Sequence, residues 1–153
     1  MDEIIVGGFL KNASEMVAGV IAPFNNKLLV HLRIFIPSAV EEGDWLPTQK
    51  GVSISADRFL EVAEAIRSLT DVAGTDVTVA RIPRDRKTEI QVGVSEFKGN
   101  VLCNVRQFFQ NEEGSWLPTK KGISLSTSRL PDLLGLVSQL EEKLDEVTGG
   151  KGS

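Results

Sequence analysis

WLPTQKGVSIS, residues Trp45 to Ser55, returns as WLPTKKGISLS from Trp116 to Ser126. Eight of the eleven paired positions are identical, and the other three are Gln49/Lys120, Val52/Ile123 and Ile54/Leu125. Chance does not account for such a match, so the chain carries one strand twice. Forward of it, SADRFLEVAEAIRSL (55–69) lies over STSRLPDLLGLVSQL (126–140) at the same spacing. Phe59, Val62, Ala63, Ile66 and Leu69 recur at three- and four-residue steps. So do Leu130, Leu133, Leu134, Val137, Leu140 and Leu144, which predicts two helices with one buried stripe each. Ser55 is placed to cap the first helix. Pro131 suits only a first turn, so the second helix is expected to begin near Ser128.

Backward of the repeat, NKLLVHLRIFI (26–36) lies over GNVLCNVRQFF (99–109). The turn PSAVEEGD is longer than its counterpart QNEEGS, and loops absorb such insertions cheaply. Strand alternation sets Leu28, Val30, Leu32, Ile34 and Ile36 on one face and Lys27, Leu29, His31, Arg33 and Phe35 on the other. One face seeks a core, and the other carries cations beside a large ring. EMVAGVIAPF and EIQVGVSEF precede these strands, and IIVGGFL and VTVARIP precede those.

Each copy therefore reads as four strands followed by a helix, an α+β unit. The first is expected over 1–69, a short linker over 70–76, the second over 77–148 and a flexible tail over 149–153. A unit of about 70 residues is marginal alone. The two are expected to pack as a pseudo-twofold dimer within one chain.

Composition narrows the function. The chain has 153 residues, 41% hydrophobic and 25% charged, the balance of a globular protein. No apolar run approaches the roughly 20 residues that cross a bilayer, and MDEIIVGG lacks the basic-then-apolar pattern of a signal peptide. An intracellular protein (cytoplasm or nucleoid, or nucleus) without membrane partners is expected. With Cys103 and His31 each the sole residue of its type, neither an internal disulfide nor a Cys/His metal site is expected, and no cofactor is implied. No nucleophile elbow, P-loop or dinucleotide fingerprint occurs, which argues against an enzyme.

The net charge of −4 and a pI near 5.1 argue mildly against a strong nonspecific binder of nucleic acid. Distribution matters more: acids gather in turns and on helices, while Arg81, Arg84, Arg86 and Lys87 crowd one connection, RIPRDRK. That run reads either as plain surface or as an extra phosphate clamp. Gly51 and Gly122 read as bulge or bend positions, Trp45 and Trp116 as buried rings with a satisfied indole N–H, His31 as a sheet residue and Cys103 as core.

The stretch VSEFKGNVLCNVRQFFQNEEGSWLPTKKGISLS followed by an amphipathic helix resembles the single-stranded-DNA-binding domain of the positive cofactor four family of transcriptional coactivators. The likeness covers nearly all of the second copy and, less closely, the first. It implies, for each copy, a four-stranded antiparallel sheet followed by a helix, and a pairing in which two curved sheets present a channel to unpaired DNA. Phe97 and Lys98 match an aromatic and a basic residue that engage DNA in the family, and Arg106 matches a basic strand residue there. Lys120 and Lys121 at the entry to the last strand match its motif and are candidates for DNA contact, and Phe109 stands where the family often has a stacking tryptophan. Asn100 replaces an expected lysine. In the first copy Phe24 is followed by asparagines, Lys27 restores one charge, Arg33 and Lys50 match Arg106 and Lys121, and Ile36 replaces Phe109.

Unpaired DNA exposes base faces and phosphates, so its reader needs rings for stacking and spaced cations. The phenylalanines interleaved with lysines and arginines supply both, and sequence preference is expected to be weak. The resemblance thus implies a nonenzymatic protein for single-stranded DNA, or RNA, in transcription, replication or repair, in company with the transcription machinery. The alternative is a protein-interaction or architectural module that kept the fold and lost DNA binding. Two chains could assemble further through the longer second helix.

Overall fold

A computed structural model describes residues 2–149. The hairpin turns show how the sequence dictates the sheets. Asn25 and Asn26 (φ 49° and 63°) and Lys98 and Gly99 (φ 51° and 82°) are consecutive left-handed residues. That pairing makes the two-residue turn whose twist matches antiparallel strands. The first turn joins β2 (Glu15–Phe24) to β3 (Lys27–Pro37), and the second joins β6 (Thr88–Phe97) to β7 (Asn100–Gln110). With β1 (Ile4–Asn12), β4 (Trp45–Ser55), β5 (Val77–Pro83) and β8 (Trp116–Ser126), they form two antiparallel sheets in the orders β1-β2-β3-β4 and β5-β6-β7-β8. The expected architecture, two tandem sheet-plus-helix units joined as an intrachain pseudo-dimer, is the one observed.

The duplicated stretch encodes a bulge. Arg33 pairs with Gly51 but Phe35 with Pro47, so residues 48–50 stand opposite Ile34 alone. Likewise Arg106 pairs with Gly122 and Phe108 with Pro118. Thr48 holds the loop-out closed: its hydroxyl donates to the Ile34 carbonyl at 2.8 Å and accepts the Lys50 N–H at 3.1 Å. Thr119 repeats both bonds with Gln107 and Lys121, at 2.8 and 3.1 Å. Glycine then lets the strand return to register. Gly51 has φ 148°, and a Cβ there would stand 2.4 Å from the Leu32 carbonyl oxygen; one at Gly122 would stand 2.7 Å from Arg106 Cγ. Thr-x-Lys-Gly is thus one device used twice, which is why its residues repeat so closely.

The helices begin later than expected. A 3₁₀ turn, Ala56–Arg58, precedes α1 (Phe59–Ser68), and another, Thr127–Arg129, precedes α2 (Leu130–Thr148). Ser55 takes no backbone N–H, whereas the Ser126 hydroxyl accepts that of Ser128 at 3.4 Å. Capping the first helix by Ser55 is therefore not observed, because the 3₁₀ turn separates it from the helical N–H groups. Pro131 does lie in the first turn of α2, which ends on left-handed Gly149.

The helices cross between units. α2, from the second copy, lies on β1 and β2 of the first, while α1 lies on β5 and β6 of the second. Glycines clear the way: a Cβ at Gly19 would stand 2.8 Å from a Leu140 methyl. Arg67 reaches from α1 to Glu141 on α2, and the hydrogen bond to Glu141 is the main reason its pKa is raised. One apolar cluster therefore unites Val17, Leu32 and Val52 with Ile90, Val105 and Ile123, and both helices close it. Leu136, outside the predicted stripe, is buried there, whereas Ile36, expected inside, is exposed beside Leu46 at the outer end of its ribbon.

Because Leu140 bridges the copies at 0% exposure, Leu140→Ala is expected to cost about 2–5 kcal/mol. Urea unfolding followed by tryptophan fluorescence and by far-ultraviolet circular dichroism checks this. The two probes should give one coincident transition, since the units share their core.

Candidate nucleic-acid interface

The face of each sheet turned away from the helices is built by the strand residues that the core does not use. On the second sheet, β6 ends in Phe97, 61% exposed, with the Lys98 ammonium 5.4 Å from its ring centroid. Asn100 pairs with Phe97 across the turn, and alternation carries the same face through Asn104, Arg106 and Phe108. Arg106 lies half-buried across β8 in the space that Gly122 leaves. It donates to the Thr119 carbonyl at 2.9 Å and to the Ser124 hydroxyl at 3.0 Å. Ser124 donates on to Asn104 at 2.7 Å, and Asn104 to Ser95 at 2.8 Å. Burial pulls the Arg106 pKa down, yet a guanidinium stays charged at neutral pH. The network holds its positive charge in one place rather than leaving it on a mobile arm.

The two bulges lie near each other where β4 meets β8, and two clefts open there. One, of about 610 Å³, gathers Lys50 and Lys11 from the first copy and Arg106, Lys120 and Lys121 from the second. Its single carboxylate, Glu15, lies 3.7 Å from Lys11; its pKa is lowered first by the Asn12 hydrogen bond and further by Lys11 and Lys50. The other cleft, of about 300 Å³, holds Arg33, Arg84 and Lys121, with Arg84 Nε donating to the Ser53 carbonyl at 2.7 Å. Lys11 and Arg84 occupy matching positions of the repeat; Arg84 reaches from its own unit to the bulged strand of the other, and Lys11 lines the cleft that the two bulges share. The sequence reading met Arg84 only as part of RIPRDRK and passed over Lys11; extending the internal alignment to the first turn of each copy is the signal that finds both.

Of the residues singled out, Lys50, Arg106, Lys120 and Lys121 converge on one cleft, and Arg33 joins Lys121 in the other. Phe24, Phe97, Lys98 and Asn100 sit at hairpin tips. From Phe97 to Gln91, the partner of Arg106, β6 runs about 20 Å. Lys27 borders a separate hollow with Asp57 and Leu144. Phe109 follows the phase of Cys103 and Val105, opposite Arg106, and emerges half-covered beside Leu117.

The two open faces differ in character. In the first, Ala18, Val20 and Phe35 form a small buried cluster with Met16 and Trp45. In the second, the matching positions hold Gln91, Gly93, Phe108, Glu89 and Trp116. Arg81 Nε donates to Glu89 at 2.6 Å, and the guanidinium stands 5.6 Å from the Trp116 ring centroid. Both tryptophans are half-buried, which corrects the expectation of burial: Trp45 packs against the small outer cluster rather than the main core, and Trp116 is covered by Arg81. His31 shares a 2.5 Å hydrogen bond with Ser53.

The family model of Transcriptional Coactivator p15 (PC4) matches residues 12–65 and 85–136, more than half of the chain and once in each copy. Among solved structures, a PC4 homolog from Burkholderia pseudomallei is similar at 20% identity, with a TM-score of 0.37 over 42% of this chain and 86% of that one. A bacteriophage T5 homolog of the eukaryotic transcription coactivator PC4, implicated in recombination-dependent DNA replication, is similar at 23% identity, with a TM-score of 0.33 over 48% and 92%.

His31 supplies a test of the cleft's electrostatics. Burial first, then Arg33 and Arg84, hold its pKa below the ordinary imidazole value. The unfolded chain therefore takes up this proton before the folded one, and stability is lost as pH falls from about 6.5. His31→Asn, the residue of the second copy, is expected to flatten that loss. Urea midpoints at about pH 7 and about pH 5 should separate less in the variant than in the parent.

Proposed function

The chain belongs to the transcriptional coactivator p15 (PC4) family, and from that premise we propose that it binds single-stranded DNA as a nonenzymatic protein, its two repeats acting as one body. The observation that carries this reading is the convergence of Lys11 and Lys50 from one copy with Lys120 and Lys121 from the other around a rigidly held Arg106. A cluster of cations with one carboxylate among them suits a phosphate chain, whereas the acids responsible for the net charge lie elsewhere, in turns and on helices. Exposed Phe24 and Phe97 at the hairpin tips offer rings on which bases stack, at roughly 1–3 kcal/mol per base. Duplex DNA hides those base faces, so the rings favour unpaired strands. The role fits transcription, replication or repair, wherever melted DNA must be held. An interaction module without DNA binding is the competing reading, and it predicts no affinity for oligonucleotides even at low salt.

Fluorescence anisotropy of a labelled oligo-dT decides between them. Binding should weaken with added salt, with a log–log slope of roughly −0.7 per phosphate contact on single strands. Lys98→Glu with Lys121→Glu should raise Kd at least tenfold and flatten that slope. Lys143→Glu, which alters a helix lysine paired with Glu146, should leave both nearly unchanged. Equal losses in the two variants would refute this assignment of the surface.

A further inference from the structure

Arg106 borders two hollows. Besides the lysine cleft it lines one of about 420 Å³ on the open face of the second sheet, within the range of small-molecule sites. Gln91, Ser95, Asn104 and Phe108 share that wall, and Asp76, left-handed at φ 58°, stands at the approach to β5. Gly93 makes it possible: a Cβ there would stand 2.3 Å from the Val77 carbonyl oxygen, so only glycine lets β5 come this close. In the first copy the matching positions are Ala18, Val20, Ala22 and His31, and Phe35 is sealed at 7% exposure. The polar hollow thus belongs to one half of an otherwise duplicated face.

Its hydrogen-bonding inventory is specific. The Gln91 amide nitrogen donates to Glu89 at 2.8 Å, which leaves the Gln91 carbonyl oxygen free to accept. Asn104 gives one N–H to Ser95 and accepts from Ser124, and its oxygen keeps a second lone pair. Asp76 adds acceptors. The donors are the Ser95 and Thr78 hydroxyls, the second amide N–H of Gln91 and of Asn104, and the unused N–H groups of Arg106. Acceptors beside a donor match a flat ring whose edge carries an amino group next to a bare ring nitrogen, as in cytosine and adenine. Thymine presents a carbonyl oxygen where the amino group should be.

We propose that this hollow takes one unstacked cytosine or adenine base from the bound strand, its ring against Phe108 and its adjoining phosphate in the lysine cleft. The proposal rests on the single-stranded-DNA reading and departs from the expectation of weak sequence preference.

The test compares labelled dC, dA and dT oligonucleotides of equal length by anisotropy. The parent protein should bind dC and dA roughly tenfold more tightly than dT. Gln91→Ala, which installs the residue of the first copy, should abolish that ratio while preserving dT affinity and the salt slope. As a second measurement on the unmodified chain, photo-cross-linking of an oligonucleotide carrying 5-iododeoxycytidine should mark Phe108 and spare Phe35. Equal dC and dT affinity in the parent, a preference that survives Gln91→Ala, or a cross-link absent from Phe108 would overturn the base site and leave DNA binding standing. Failure to bind any oligonucleotide at low salt would instead remove the DNA reading, and this site with it.

Discussion

Leu136 and Leu140 of the second copy rest on Gly19 of the first, and every other relation between the copies follows from that contact. Strand alternation gives each four-stranded unit a core face that must be covered. Exchanging helices solves the problem: each sheet is covered by the partner's helix, and one core replaces two marginal ones. Because the helices lock the units crosswise, β4 and β8 are brought together on the far side of the core. The cationic clefts exist only as a consequence of that junction. Neither copy holds a complete cleft, since each cleft draws its cations from both.

The bulge gives the junction its chemistry. Looping residues out of β4 and β8 aims consecutive polar side chains outward where a regular strand would send alternate ones into the core. Threonine closes the loop-out with two hydrogen bonds, and glycine removes the Cβ that would otherwise strike the neighbouring arginine. The backbone geometry of the bulge and the cations of the cleft are thereby concentrated in a few adjacent residues. This accounts for the strict repetition of Thr-x-Lys-Gly while the strands around it have drifted apart.

Much of this was legible in the sequence because periodicity is a local signal. Alternation identified the core face of β3, and three-and-four spacing identified the stripes of both helices, since each depends only on residues within the element. What covers a buried stripe is not local information, so the helix exchange could not be read, and Leu136 was passed over because it faces a β1 supplied by the other copy. Ser55 looked like a cap because a hydroxyl before a helical stripe usually is one; the intervening 3₁₀ turn is a backbone detail without a side-chain signature. Among the binding candidates, Lys50, Arg106, Lys120 and Lys121 were recognisable because they belong to the repeated motif. Lys11 eluded notice because its counterpart is an arginine in a differently composed turn. Phe109 stands away from Arg106 for a reason strand alternation already contained: their positions differ by an odd number.

Joining the copies in one chain has an evolutionary corollary. In a homodimer every substitution is written twice, so a change that improves one half of a channel is imposed on the other half as well. Here Val20 and Gly93, or Met16 and Glu89, could part without consulting a twin, and one face became sealed and greasy while its counterpart became hollow and polar. Covalent fusion converts a dyad into a pair of independently tunable surfaces.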